Sequence, residues 1–182
     1  MQFIVPAQPK LRASPPVGDG WIHEAKFDGL RIQLHKDGDV VRLYTKNGYD
    51  CTNRFQALTT ALAAVPARSC IIDGEVTAFD PLGLIDFHAL HFRNAADEDI
   101  AVWAFDLLFH NGREVRQLPL VERKDLLMVL VMGAGDERLR LSDGFDDGVE
   151  LLAAAERTGL EGIVSKKAMA PDRSGTHATG SR

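Results

Sequence analysis

Apolar and polar positions alternate with a period of two in several short runs of this chain and switch to helical spacing in longer ones. WIHEAKF (21–27) alternates as a strand. RIQLHK and DVVRLYT flank Asp37-Gly38, an order that predicts a tight hairpin. TNRFQALTTALAAV carries Phe55, Leu58, Leu62 and Val65 at helical spacing, with Thr52 or Asn53 as the expected cap. SCIIDGEVTAF reads as an apolar strand interrupted by Asp73-Gly74-Glu75, where Asp73-Gly74 taken alone is a turn signal; Pro81-Leu82-Gly83 turns the chain again. IAVWAFDLLFH is too apolar for a surface strand and predicts burial on both faces, with Asn111-Gly112 turning it back. LPLVERKDLLMVLV predicts an amphipathic helix with Pro119 near its first turn, GVELLAAAERTG a second helix ended by Gly159, and EGIVSKKA a last strand.

This order of elements predicts one α+β domain of about eight strands and three or four helices, with antiparallel hairpins among the helices. Its expected extent is 18–175, after an irregular Pro- and Gly-rich lead-in (1–17, with the fold starting near Trp21) and before a polar tail (176–182). A chain of 182 residues, 45% apolar and 26% charged, suits a single globular domain. No apolar run approaches the roughly eighteen residues of a membrane span, and MQFIVPAQPK has no signal-peptide core, so the expected location is the cytoplasm. Cys51 and Cys70 lack metal or disulfide spacing and are read as reduced thiols; His88 and His91, three apart, lack a nearby third ligand. The net charge of −5 changes the picture more: any nucleic-acid contact must come from a local basic patch, or acidic side chains must hold a divalent metal that reverses the local field.

The candidate chemistry lies in HEAKFDGLRIQ (23–33), where Lys26 stands between Glu24 and Asp28 at a spacing of two. In an extended chain all three share a face, forming either a surface salt-bridge ladder or a site. A lysine with a reference pKa of about 10.4 is a poor nucleophile, and flanking carboxylates make it poorer unless a metal or further cations offset them.

Lys26-Phe27-Asp28-Gly29-Leu30-Arg31 is K-x-D-G-x-R, and it resembles the nucleophile motif of the nucleotidyltransferases that form a lysyl-nucleotide: polynucleotide ligases and messenger-RNA capping enzymes. Four further segments follow in that family's order. They are Lys46-Asn47-Gly48, where the family usually has Arg-Asn-Gly; IIDGEV; AFDLLFHNGREVRQLPLVERKDLL; and LEGIVSKK. Their wording is most similar to the bacterial ATP-dependent DNA ligases of the non-homologous end-joining type. The resemblance implies an ATP-grasp-like adenylation (nucleotidyltransferase) domain of mainly antiparallel sheets flanked by helices; the OB-fold domain that follows it in these ligases is not expected here. It implies ATP with Mg2+ or Mn2+, nicked or broken double-stranded DNA, an OB-fold-bearing or end-joining partner chain, no membrane, and a cytoplasmic, nucleoid-associated location. By the same resemblance Lys26 is the nucleophile, Arg31 a ribose or phosphate contact, and Glu75 a ribose contact or metal support. Phe105 stacks on adenine, Glu161 binds the metal, Lys166 meets the α-phosphate, Glu24 and Ala25 lie by the base, and Lys46 and Asn47 face the DNA.

The family's last adenylylation motif, with its paired lysines, has no counterpart: Pro171-Asp172-Arg173-Ser174-Gly175 has aspartate where tyrosine is usual, and THATGSR contains no lysine. Adenylation without unaided sealing is therefore expected. A catalytically weak ATP- or nicked-DNA-binding module is the alternative, and GTP-dependent RNA capping a narrower one.

Overall fold

A computed structural model of the chain describes residues 1–91 and 99–174; the expected polar tail, 176–182, lies outside them. The elements run β1 (Trp21–Lys26), β2 (Leu30–Asp37), β3 (Val40–Thr45), a 3₁₀ turn (Thr52–Arg54), α1 (Gln56–Ala63), β4 (Ser69–Ala78), α2 (Phe87–His91), β5 (Ile100–His110), β6 (Arg113–Glu114), α3 (Leu120–Ala134), β7 (Leu139–Leu141), α4 (Gly148–Thr158) and β8 (Gly162–Lys167). Eight strands and four α-helices among the described residues match the α+β expectation. The larger sheet has the order β3-β2-β4-β5-β6, all antiparallel, with the short β7 added parallel to β5. β1 and β8 form a separate antiparallel pair.

Strand alternation divides the large sheet into two chemically different faces. Ile32, Leu34, Ile72, Val76, Val102 and Ala104 enter one core with Leu58 and Leu62 of α1 and Leu127, Leu130 and Val131 of α3. Arg31, Gln33 and His35, and across from them Asp73 and Glu75, occupy the other face. Asp73-Gly74-Glu75 is accordingly no turn. β4 runs straight through it, with the ladder to β5 shifting register between Ile71 and Ile72 and between Asp73 and Gly74. Glycine is required at 74 by the close approach of β5: a Cβ there would lie 2.8 Å from Val102 Cγ2 and 3.0 Å from the Trp103 carbonyl oxygen.

Other expectations shift for equally local reasons. Asp37 pairs with Val40, so the two loop residues of the hairpin are Gly38 and Asp39, and Gly38 takes the left-handed φ of 59°. Thr52 does not cap α1; its hydroxyl accepts from the Leu43 amide at 3.0 Å, and the helix begins after Phe55 with no side-chain cap. α4 does have one, which the sequence reading passed over: the Asp147 carboxylate accepts from the amides of Val149 and Glu150, both at 2.9 Å. α3 is not cleanly amphipathic, since Met128, Val129 and Met132 are exposed while Arg123 is buried, its guanidinium doubly bonded to Asp106 at 2.7 and 2.9 Å. Cys70 is buried and Cys51 partly so, and burial pushes both thiols up to about 11, as suits unreactive thiols.

The fold starts earlier than Trp21. Residues 1–7 have no regular structure but lie on the polar face of the large sheet, where the Ile4 amide donates to Gln33 Oε1 at 3.2 Å, Phe3 sits 6.1 Å from the Tyr44 ring, and the Ala7 carbonyl accepts from Arg31 Nη1 at 2.6 Å. The cause is polar: without this segment the inward amide of Gln33 and ring of His35 would lose their cover. No helix among the described residues is long and apolar enough to cross a membrane.

Two outcomes follow from this packing. Arg123→Met would strand the Asp106 carboxylate in the interior and should cost about 3–5 kcal/mol of stability by chemical denaturation. Burial pushes the His35 imidazole down to about 4 from 6.5, so between those values the unfolded chain takes up a proton that the folded one refuses. Stability should therefore fall as pH drops through this window, and His35→Gln should flatten that part of the thermal midpoint–pH curve.

Candidate active site

In the β1–β8 pair Lys26 faces Gly162, Glu24 faces Val164 and Ile22 faces Lys166, so Glu24, Lys26 and Lys166 project from one side of the small sheet. Asp28 lies past the end of β1 and is exposed. No local ladder forms, because Lys26 and Glu24 each find a distant partner. Lys26 pairs with Glu161, which enters from the residue before β8. The Glu24 side chain, 2% exposed, accepts from Lys124 Nζ at 2.9 Å and Lys166 Nζ at 2.8 Å, and from the Ser142 hydroxyl at 3.2 Å.

The polar face of the large sheet supplies the opposite wall. Arg31 grips Asp73 through two bonds of 3.1 and 2.8 Å, and Glu75 is its register partner on β4. The Arg31 guanidinium stands 5.3 Å from the centre of the Phe105 ring, and Lys166 Nζ stands 4.6 Å from it while donating to the Phe105 carbonyl at 3.4 Å. Phe105 is thus a half-buried ring with two cations near its face and not a core residue. Burial pushes the Glu75 carboxyl up to about 7, with Asp73 and Glu161 adding to the shift and Arg31 and Lys26 opposing it.

Among the described residues no three His, Cys, Asp or Glu side chains converge as a ready-made ion cage. Glu75 and Glu161 nevertheless suit a hard divalent cation: both offer carboxylate oxygens, and their mutual repulsion, which helps hold Glu75 toward its neutral form, would be relieved by positive charge between them. His88 and His91 sit on α2, the latter ring stacked 5.4 Å from Phe87.

Lys26, Glu24, Arg31, Glu75, Phe105, Glu161 and Lys166 are therefore brought together. Ala25 is in the same strand, but alternation turns its side chain to the opposite face. Lys46 and Asn47 are exposed in the turn after β3, attached to the site through the Lys46 amide, which donates to the Arg31 carbonyl at 3.1 Å. Asp172, the departure from the family pattern, accepts from the Ser174 amide at 2.9 Å, while the Ser174 hydroxyl accepts from the Ala7 amide at 3.0 Å. Lys124 and Ser142 carry no signal of their own in the sequence, and Asp73 reads there as part of a turn and not as the partner of Arg31. Lys124 and Ser142 lie 100 and 118 residues from Glu24, a separation at which no periodicity or motif spacing carries a signal.

The family model described as the ATP-dependent DNA ligase domain matches residues 13–180. The chain is 37% identical to the multifunctional non-homologous end joining protein LigD of Pseudomonas aeruginosa over 91% of this chain and 20% of that protein. It is 36% identical to a probable DNA ligase of Beutenbergia cavernae over 92% of this chain and 34% of that protein. Among solved structures, mycobacterial DNA ligase D complexed with ATP and MES superposes with a TM-score of 0.72 at 28% identity, over 85% of this chain and 50% of that one. The ligase domain of M. tuberculosis LigD gives 0.71, also at 28% identity, over 85% of this chain and 51% of that one. The chain thus spans a fifth to a third of the length of these two relatives, yet the family model covers nearly all of it. On that match the chain belongs to the ATP-dependent DNA ligase domain family.

Proposed function

We propose that residues 18–175 are the adenylation module of an ATP-dependent DNA ligase of the end-joining type, in which Lys26 takes AMP from ATP for transfer to a 5′-phosphate at a DNA nick or end. The observation that carries this reading is the shared face of Lys26 and Lys166 opposite a half-buried Phe105 ring, with Arg31 and Glu75 beside it. It accounts for a nucleophile, a phosphate-directed cation, a base-stacking ring and a ribose contact within one site.

In the first step the Lys26 amine attacks the α-phosphorus, the N–P bond forms, and the bond to pyrophosphate breaks with its electron pair leaving on pyrophosphate. A DNA 5′-phosphate oxygen then displaces Lys26 from the adenylate, and a 3′-hydroxyl displaces AMP. With a reference pKa of about 10.4 only around one lysine in a few thousand is neutral at pH 7, and in this structure Lys26 Nζ is tied to Glu161. Lys26 becomes a nucleophile only once the Glu161 oxygens are engaged elsewhere. A divalent cation, Mg2+ or Mn2+, held by Glu75 and Glu161 would supply positive charge to those carboxylates and to the triphosphate.

Phe105 takes the adenine face, with Glu24 and Ala25 flanking the base along β1 and Arg31 and Glu75 at the ribose. Lys166 leaves Glu24 for the α-phosphate. Lys46 and Asn47 meet the DNA from their exposed turn, a local contact of the kind a chain of net charge −5 needs. Sealing draws on an OB-fold-bearing or end-joining partner, in the cytoplasm at the nucleoid. A binding-only role is not favoured, since the nucleophile and the side chains around it are all present and assembled.

Intact-protein mass after incubation with ATP and Mg2+ or Mn2+ should show one added adenylate, mapped to Lys26, and Lys26→Ala should remove it; an adduct that persists would place the nucleophile elsewhere. Phe105→Ala should weaken ATP binding by about 1–3 kcal/mol in a titration if the ring stacks on the base, and an unchanged affinity would return Phe105 to a packing role.

A further inference from the structure

Glu24 holds two ammonium groups where one would balance it. Lys124, from the second turn of α3, has a side chain only 12% exposed, and its Nζ is divided between Glu24 Oε1 at 2.9 Å and the Ser142 carbonyl at 2.8 Å. Lys166 takes the other carboxylate oxygen at 2.8 Å while lying over Phe105. The two lysines are not equivalent. Lys124 is fixed by a second acceptor on its own side of the site, and its helix is anchored through the neighbouring Arg123 and Asp106. Lys166 has only the weak 3.4 Å bond to the Phe105 carbonyl besides Glu24, and it is the more exposed of the pair.

A buried carboxylate stripped of its counter-charge is strongly disfavoured. If Lys166 were the sole partner of Glu24, moving it to a ligand phosphate would leave such an anion behind, and the ligand would have to outbid a buried ion pair. Resting on the nucleotide-binding reading above, we propose that Lys124 is a positioning residue for Lys166: it keeps Glu24 neutralised so that Lys166 can exchange that carboxylate for a nucleotide phosphate. Lys124 itself touches neither substrate nor metal. Ser142 stabilises the resident pair from both sides, its carbonyl accepting from Lys124 and its hydroxyl donating to Glu24.

The test is a double-mutant cycle read as ATP affinity by titration, with the thermal midpoint of each variant recorded alongside. In the native background Lys124→Met should weaken ATP binding about tenfold, and Lys124→Arg, which retains the charge, should restore most of it. In the Glu24→Gln background, where no anion needs holding, the same Lys124→Met change should cost no more than about twofold. An equal loss in both backgrounds would overturn the proposal, since Lys124 would then act independently of Glu24. Should Lys124→Met fail to fold, Lys124→Gln in the same two backgrounds gives the same decision. The adenylate mass shift on the native chain tests the activity separately: a chain that binds ATP but forms no adduct loses the proposed reaction while the affinity cycle still decides the role of Lys124. A native chain that does not bind ATP overturns both.

Discussion

The buried carboxylate of Glu24 is the constraint on which the rest of the site depends. A carboxylate 2% exposed needs counter-charge brought to it, and the cations come from α3 and β8, with Ser142 from the segment after β7. One ion cluster therefore ties the small β1–β8 sheet to the helix that covers the large sheet. It sets which way β1 presents its alternate residues, and with them Lys26.

The large sheet contributes through the contrast between its faces. One face is aliphatic and buries α1 and α3; the other carries Arg31, Gln33, His35, Asp73 and Glu75. Polar groups on a sheet interior need partners, and two different ones are supplied. Residues 1–7 cover the far end over Gln33, while the end near Phe105 is left open to the small sheet. The register shifts beside Asp73-Gly74 lie where the open end begins, and the missing Cβ at Gly74 lets β5 come close enough to bring Trp103 and Phe105 alongside β4.

Electrostatically the site rests as a set of closed ion pairs: Lys26 with Glu161, Arg31 with Asp73, Lys166 with Glu24. On the proposed reading this is how a chain of net charge −5 receives a triphosphate. Its cations are concentrated at one place and kept there by carboxylates that a polyanionic ligand, or a metal taking those carboxylates, can displace. The Asp73 pair is the least exchangeable of the three, being bidentate on a buried carboxylate, so Arg31 serves as framework.

Much of this was legible in order and period. Alternation located β1, β2 and β3, a continuous apolar run located β5, helical spacing located α1, α3 and α4, and the K-x-D-G-x-R string with its four companions singled out Lys26, Arg31, Glu75, Phe105, Glu161 and Lys166 as candidates, because these signals are carried by neighbours a few residues apart. Asp73-Gly74 misled as a turn because its usual local meaning was overridden by Arg31 and the approach of β5, neither of which is near it in sequence. β7 is three residues long and too short for any period to show. The chain by itself determined most of the elements and which side chains are the candidates for the chemistry. Only the tertiary structure decided their pairing: Lys26 answers to Glu161 because the start of β8 lies beside the end of β1, and Glu24, which burial forces to find counter-charge, answers to Lys124 and Lys166 that α3 and β8 deliver and not to Lys26 beside it in sequence.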